Sequence, residues 1–155
     1  MTDPDSERAR LVGINHVALE VGDIDAALEF YGSLFEFDLR GRSETSAFLD
    51  MGDQFLAISQ VDEEAAERAD DHRHFGLVVD DAARLEARLE EYDVDRLDVR
   101  GLEFHDPWGN RVQIVEYGEI QFTKADHVLE GMEMSGLEKS ESALEELAEK
   151  GIAPE

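Results

Sequence analysis

Two stretches of the chain alternate apolar and polar residues and then change to the spacing of a helix. The first is NHVALEVGDIDAALEFY, residues 15–31, and the second is RHFGLVVDDAARLEARL, residues 73–89. Alternation with a period of two predicts a half-buried strand, and an acidic residue before a helical pattern predicts a helix cap. Each stretch is therefore predicted to form a strand, a cap at Asp23 or Asp81, and a helix.

The landmarks of the first stretch recur later in the chain at a nearly constant distance. His74 follows His16 by 58 residues, and Asp81 follows Asp23 by the same number. Farther along, FLDMGDQFLAI (48–58) resembles FHDPWGNRVQI (104–114), with one more turn residue in the second copy. The segments FDLRGRSE and VDRLDVRG are each short enough to hold one further strand and no more. The pattern predicts a β-α-β-β-β module twice, at residues 11–61 and 72–117.

This internal repeat predicts an α+β fold in which two tandem βαβββ modules pair around a cavity, because neither module covers its own sheet. The modules are expected to form one domain over residues 11–119, joined by a short acidic helix in DEEAAERADD. Residues 120–155 are expected to form an extension with a helix at about 140–150, opened by a capping box at Ser142 to Glu145 and ended by Gly151.

The chain is strongly acidic, with 39 acidic and 14 basic residues and a net charge of −25. The acidic residues occur in every segment, which differs from a single acidic tail that binds one partner. This balance excludes nucleic acid as an expected partner. At molar salt the Debye length falls to about 3 Å, so most of the repulsion among these charges is screened. We interpret the composition as an adaptation to a salt-rich cytoplasm.

Other features of the composition narrow the kinds of site and location. The chain contains no cysteine, so any metal must be bound by histidine, carboxylate or amide groups. No run approaches 18 apolar residues, and the first ten residues lack the basic start and apolar centre of a signal peptide. The expected location is the cytoplasm, without a membrane partner.

Alternation also places three polar side chains on the faces that the helices leave uncovered. In the first strand Val17 and its apolar neighbours face the helix, so His16 faces away, and His74 does so in the fifth strand. In the last strand Gln113 lies opposite the helix-covered residues, whereas Glu116 has the other parity. Two imidazoles and one amide oxygen suit a divalent metal. The alternative is that each side chain is only a hydrogen-bonded structural residue.

These residues lie in motifs that resemble the vicinal-oxygen-chelate superfamily of glyoxalases, fosfomycin- and bleomycin-resistance proteins, and extradiol dioxygenases. The motifs are INHVALEVGDIDAALEFYGSLFEFDL, HFGLVVDDAARLEARL and FHDPWGNRVQIVEY. The resemblance covers residues 11–119 and implies the paired-module fold. It makes His16 and His74 metal ligands and places the third ligand, a glutamate in the family, at Gln113, with Glu116 as the alternative.

The sequence departs from the glyoxalase pattern at a second position. The acidic residue expected on the fourth strand falls at Ala57, which cannot bind metal or act as a base, so glyoxalase I activity is not expected. The first hypothesis is a metal-dependent lyase, transferase or dioxygenase. Zn, Mn, Fe, Ni or Mg would chelate a small oxygen-rich substrate and stabilise negative charge. The second hypothesis is a metal-free protein that sequesters a ligand against Phe55, Trp108 and Tyr117. The resemblance also implies a homodimer.

Overall fold

The computed structural model describes residue 8 and residues 14–66 and 69–154. The first module contains β1 (His16–Val21), α1 (Ile24–Leu34), β2 (Leu39–Arg42), β3 (Ser46–Asp50) and β4 (Phe55–Gln60). Its four strands form a sheet in the order β1-β4-β3-β2, with β1 parallel to β4. The predicted βαβββ pattern is confirmed here. The expected module start, at residue 11, lies outside the described residues.

The second module contains β5 (His74–Val79), α3 (Ala82–Glu91), β6 (Leu102–His105) and β7 (Arg111–Glu116), after a short helix α2 (Glu63–Ala66). Its sheet has the order β5-β7-β6, with β5 parallel to β7. The strand predicted in VDRLDVRG is reduced to an isolated bridge between Arg96 and Phe104. The backbone N–H of Val99 bonds to the carbonyl of Leu97, so the chain turns at this point and leaves the edge of β6.

Two side chains accept hydrogen bonds from the first backbone N–H groups of each main helix: one belongs to the residue before the helix, and the other to the last strand of the module. Asp23 accepts from Ala26 at 2.8 Å, and Asp81 accepts from Ala83 at 3.0 Å, as the sequence predicted. The last strand of each module contributes a second acceptor, which the sequence did not indicate. Gln60 accepts from the N–H of Ile24 at 2.9 Å, and Glu116 accepts from the N–H of Ala82 at 2.8 Å. Glu116 therefore lies on the helix-covered side of β7.

The two modules meet at α1 and at the turn between β6 and β7. Tyr31 of α1 donates its hydroxyl hydrogen to Asp106 of the turn at 2.8 Å, and both residues are buried. Burial and the neighbouring Asp106 carboxylate raise the pKa of Tyr31 well above 10.0. The side-chain amide of Asn110 donates to the carbonyl of Glu20 at 2.9 Å. Trp108 from the same turn is buried in the core of the first module.

The extension after β7 folds back on the first module. It begins with a 3-10 turn (Tyr117–Glu119) and contains α4 (Asp126–Gly131) and α5 (Glu141–Glu149). Lys124 forms an ion pair with Asp53 in the β3–β4 turn, and Lys139 donates to the carbonyl of Ile120 at 2.8 Å. The N-cap of α5 is Ser140, which accepts from Ala143, and not the predicted Ser142. No helix in the described part of the chain is long and apolar enough to span a bilayer.

Candidate functional site

The faces of the two sheets that the helices leave uncovered are open to solvent over much of their area. On β1, His16, Ala18 and Glu20 are exposed, while Leu19 and Val21 are buried beneath α1. On β5, His74 and Gly76 are exposed, and on β7, Gln113 and Val115 are half-buried. The three predicted metal-binding side chains therefore belong to the uncovered faces, as the alternation of the sequence indicated.

His16 stands at the start of β1 with one ring nitrogen engaged. Its Nδ1 lies 2.9 Å from Oδ1 of Asn15, an acceptor, so the imidazole hydrogen is on Nδ1. The ring stacks on Phe55, with ring centres 4.8 Å apart and planes 10° from parallel. These contacts fix the ring plane and leave the lone pair of Nε2 available on an exposed side chain.

His74 has the same hydrogen-bonding arrangement at the start of β5. Its Nδ1 lies 2.9 Å from the backbone carbonyl oxygen of His72 and donates to it. The exposed ring again has its Nε2 lone pair available. An Nδ1–H bonded to a neighbouring oxygen is the usual state of a histidine that binds metal through Nε2, because it fixes the tautomer and raises the basicity of Nε2.

Gln113 lies between the two neighbouring strands of its sheet, opposite Gly76 of β5 and Glu103 of β6. Gly76 leaves open space beside it, since an added Cβ would meet nothing within 4 Å. The Glu103 carboxylate accepts from Nε of Arg111 at 2.8 Å, and the two side chains are 10% and 15% exposed. The only carboxylate directly across from Gln113 in the described sheet is therefore already neutralised.

Within one chain, each histidine stands at the start of the first strand of its own module. His74 pairs with Arg111, and the preceding residue, Asn110, contacts Glu20. His16 lies four residues from Glu20 along an extended strand, which corresponds to about 13 Å. Among the described residues, no three His, Asp or Glu side chains converge as a metal-binding group. A site formed by His16, His74 and Gln113 would therefore have two imidazoles and one amide oxygen as its side-chain ligands.

The three aromatic residues predicted to line a ligand site occupy different environments. Phe55 is half-buried on the uncovered face of sheet β1-β4-β3-β2. Trp108 is 7% exposed within the core, and its indole lies close to Gly22. Tyr117 is 4% exposed, its hydroxyl accepts from the N–H of Lys124, and the Lys139 ammonium lies 3.6 Å from its ring centre. Phe55 is thus the member of this set whose ring lies beside a predicted ligand.

Sequence reasoning did not single out Arg40, which lies on the same face as Phe55. The guanidinium carbon of Arg40 lies 4.6 Å from the centre of the Phe55 ring, and Phe48 contacts the same ring edge-on at 5.7 Å. The pairing of β2 with β3 shifts register between Leu39 and Gly41, and this irregularity displaces Arg40 from simple alternation. A bulge of this kind has no clear signal in the sequence.

An open cavity of about 600 Å³ lies elsewhere, between α1, the loop after α3 and the turn that holds Asp106. Glu29, Asp93 and Asp95 give it an acidic wall. The residues that line it do not include the predicted site residues His16, His74, Gln113, Phe55, Trp108 and Tyr117. The cavity is therefore separate from the site on the uncovered faces.

The sequence matches the family model described as "Glyoxalase/Bleomycin resistance protein/Dioxygenase superfamily" over residues 13–128. It is 25% identical over 119 residues to the metallothiol transferase FosB of Bacillus licheniformis, covering 70% of this chain and 77% of that protein. It is 26% identical over 113 residues to the glutathione transferase FosA of Serratia marcescens, covering 67% and 80% of the two chains.

Solved structures support the same fold. A lactoylglutathione lyase from Agrobacterium tumefaciens superposes with a TM-score of 0.54 at 24% identity, over 70% of this chain and 96% of that one. The fosfomycin resistance protein FosX from Listeria monocytogenes, in complex with Mn(II) and sulfate, gives a TM-score of 0.58 at 14% identity, over 79% and 99% of the two chains.

Proposed function

The chain belongs to the glyoxalase/bleomycin resistance protein/dioxygenase superfamily, and we propose that it binds a small oxygen-rich substrate at a divalent metal held by His16, His74 and Gln113. The observation that carries the proposal is the matching state of the two histidines. Each donates from Nδ1 to a neighbouring oxygen, at 2.9 Å in both cases, and keeps Nε2 available. Two imidazoles and an amide oxygen suit a borderline or hard divalent ion, such as Zn²⁺ or Mn²⁺.

The metal would act as a Lewis acid that chelates adjacent substrate oxygens and stabilises negative charge on them. The side chains of this chain orient the substrate and limit the chemistry. Ala57 occupies the fourth-strand position where a glyoxalase-type acid was expected, and Glu103 is paired with Arg111. We therefore favour group transfer to a bound substrate, as in the named activities of FosB and FosA, over a reaction that needs a carboxylate base.

We propose that the complete site forms between two copies of the chain. His16, Glu20 and His74 are exposed on the uncovered faces in one chain, and a second copy would cover them. A two-fold axis repeats each contact, so a dimer that brings His16 of one protomer to His74 of its partner forms two identical sites. Ile14, 70% exposed beside β1, and Leu39, 43% exposed on β2, provide apolar surface for such a contact.

The metal content of protein purified without chelator tests the function directly. We expect about one divalent ion per chain, and a substitution of Gln113 by glutamate should tighten Mn²⁺ binding by about tenfold because it adds a charge to an oxygen ligand. Replacing Gln113 with alanine should weaken binding. These affinities are measured by calorimetric titration.

The control for Gln113→Glu is Gln60→Glu, which adds the same charge at the end of β4 in the first module. Gln60 caps α1 through Oε1, and glutamate keeps that acceptor, as Glu116 does for α3. Its affinity for Mn²⁺ should equal that of the wild type. Protein without metal that also gives no titration heat would exclude the metal site and favour a metal-free ligand-binding protein.

We further propose that the chain is adapted to a salt-rich cytoplasm, and salt dependence of stability tests this. Raising KCl from low to molar concentration should raise the thermal unfolding midpoint by at least about 10 °C, since screening removes repulsion among 39 acidic residues. Circular dichroism at several KCl concentrations measures the midpoint. A midpoint that is flat or lower in molar KCl would contradict the adaptation.

A further inference from the structure

Arg40 is unusual among the arginines of this acidic chain because it contacts an aromatic ring and no carboxylate. In the described residues, Arg100 also has no ion pair in the structure, but six other arginines pair with acidic side chains: Arg42, Arg73, Arg84, Arg88, Arg96 and Arg111. The guanidinium of Arg40 lies over Phe55 instead. Asp50 lies on the same face, opposite Phe55, but no described carboxylate lies within ion-pair distance of Arg40.

The contact of Arg40 is part of a stack that includes a predicted metal ligand. Phe55 on β4 has His16 on the neighbouring strand β1 and Arg40 beyond β3, and its ring contacts both the imidazole and the guanidinium. The ring centres of His16 and Phe55 are 4.8 Å apart, and the Arg40 carbon lies 4.6 Å from Phe55, so it lies within 9.4 Å of the imidazole centre. Phe48 contacts the Phe55 ring edge-on.

This arrangement leaves the hydrogen-bonding edge of the guanidinium unused. Stacking on an aromatic ring engages the flat face of the group, whereas its five N–H donors lie in the plane and match a carboxylate or phosphoryl group. In a chain with a net charge of −25, an anion is repelled over most of the surface. An unpaired cation within 9.4 Å of His16 is therefore a favourable place for an anion on this face.

We propose that Arg40 recognises an anionic group of the substrate, so that the site selects small molecules with a carboxylate or phosphoryl group a few bonds from the oxygens that chelate the metal. The proposal rests on the proposed metal site for the position of the chelating oxygens. Phe55 contacts both the imidazole and the guanidinium, so their separation of at most 9.4 Å limits the length of the substrate that fits. Arg40 is in this sense a specificity-determining residue.

Two probes of equal length test the assignment. 2-Hydroxyglutarate and 2-hydroxypentanoate share the chelating 2-hydroxy acid end and differ by a terminal carboxylate in place of a methyl group. We expect wild-type protein with Mn²⁺ to bind 2-hydroxyglutarate about tenfold more tightly, since a charge-assisted contact has about that effect on affinity. In Arg40→Ala the two dissociation constants should become equal, and Arg40→Lys should retain part of the preference.

The control is Arg100→Ala, which removes an exposed arginine away from this face and should leave the tenfold preference unchanged. Titrations are repeated with EDTA to separate this proposal from the metal site. A preference that disappears in Arg40→Ala but does not depend on Mn²⁺ supports the role of Arg40 and contradicts the metal site. Mn²⁺-dependent binding with the same preference in wild type and Arg40→Ala overturns the role of Arg40, as does the absence of binding of either probe.

Discussion

Replacing Asp106 with alanine is expected to lower the free energy of unfolding by about 3 to 5 kcal/mol, because buried hydrogen-bond donors would lose their acceptor. Asp106 is 4% exposed and accepts four hydrogen bonds. The donors are the Tyr31 hydroxyl, the backbone N–H groups of Trp108 and Asn110, and the Asn110 side-chain amide. Alanine would leave buried donors without a partner, and such groups bear the full cost of desolvation.

The loss should also weaken the contact between the modules, because Asp106 bonds the turn of the second module to Tyr31 on α1 of the first. The matched control is Asp98→Ala, which removes the same charge from an exposed loop position and should change the free energy by no more than about 0.5 kcal/mol. Urea unfolding in molar KCl measures both variants. A change of less than about 1 kcal/mol for Asp106→Ala would mean that the turn does not hold the modules together.

The regular part of the fold was predictable because its signals are local. Strand alternation placed Val21 and Val112 on buried faces, and the acidic residue before each helical pattern predicted the caps at Asp23 and Asp81. The repeat of histidine, acidic cap and turn glycine then fixed the order of the two modules. Each of these features depends on residues that are close together in the sequence, so period and spacing are sufficient to predict them.

The parts that were missed depend on interactions between distant segments. The edge strand expected in VDRLDVRG became a turn with a single bridge, because an edge segment makes hydrogen bonds on one side only and local turns compete with them. The cap of α5 moved from Ser142 to Ser140, whose N–H also bonds to the Gly118 carbonyl in the 3-10 turn. Tertiary contact decided which of two serines became the cap.

For the candidate site, too, the features set by neighbouring residues were predictable, and those set by contacts between distant segments were not. Alternation identified the faces of His16, His74 and Gln113, but it carries no information on how the two sheets are placed relative to each other. In one chain, the modules meet through α1 and the Asp106 turn, and the uncovered faces remain exposed. Arg40 was missed because its position depends on a register shift in β2. A site built across modules therefore needs the structure, and across copies it needs an experiment.

Co-expression of two variants that each lack one histidine tests whether the site is shared between copies. Its expected effect on metal binding is large. His16→Ala and His74→Ala should each lose at least about 100-fold in Mn²⁺ affinity, since each variant dimer lacks one imidazole in both sites. In a co-expressed mixture, a mixed dimer has one site with both histidines and one site with neither. With random pairing, the mixture should regain about one quarter of the wild-type metal per chain.

The result distinguishes a shared site from a site within one chain, because mixing cannot restore a site whose two histidines belong to the same chain. His72→Ala is the matched control: it removes a neighbouring exposed imidazole but keeps the backbone carbonyl that accepts from Nδ1 of His74. That variant should bind Mn²⁺ like the wild type. Elemental analysis of the separated dimers gives the stoichiometry, and a mixture as free of metal as its two parents would contradict the shared site.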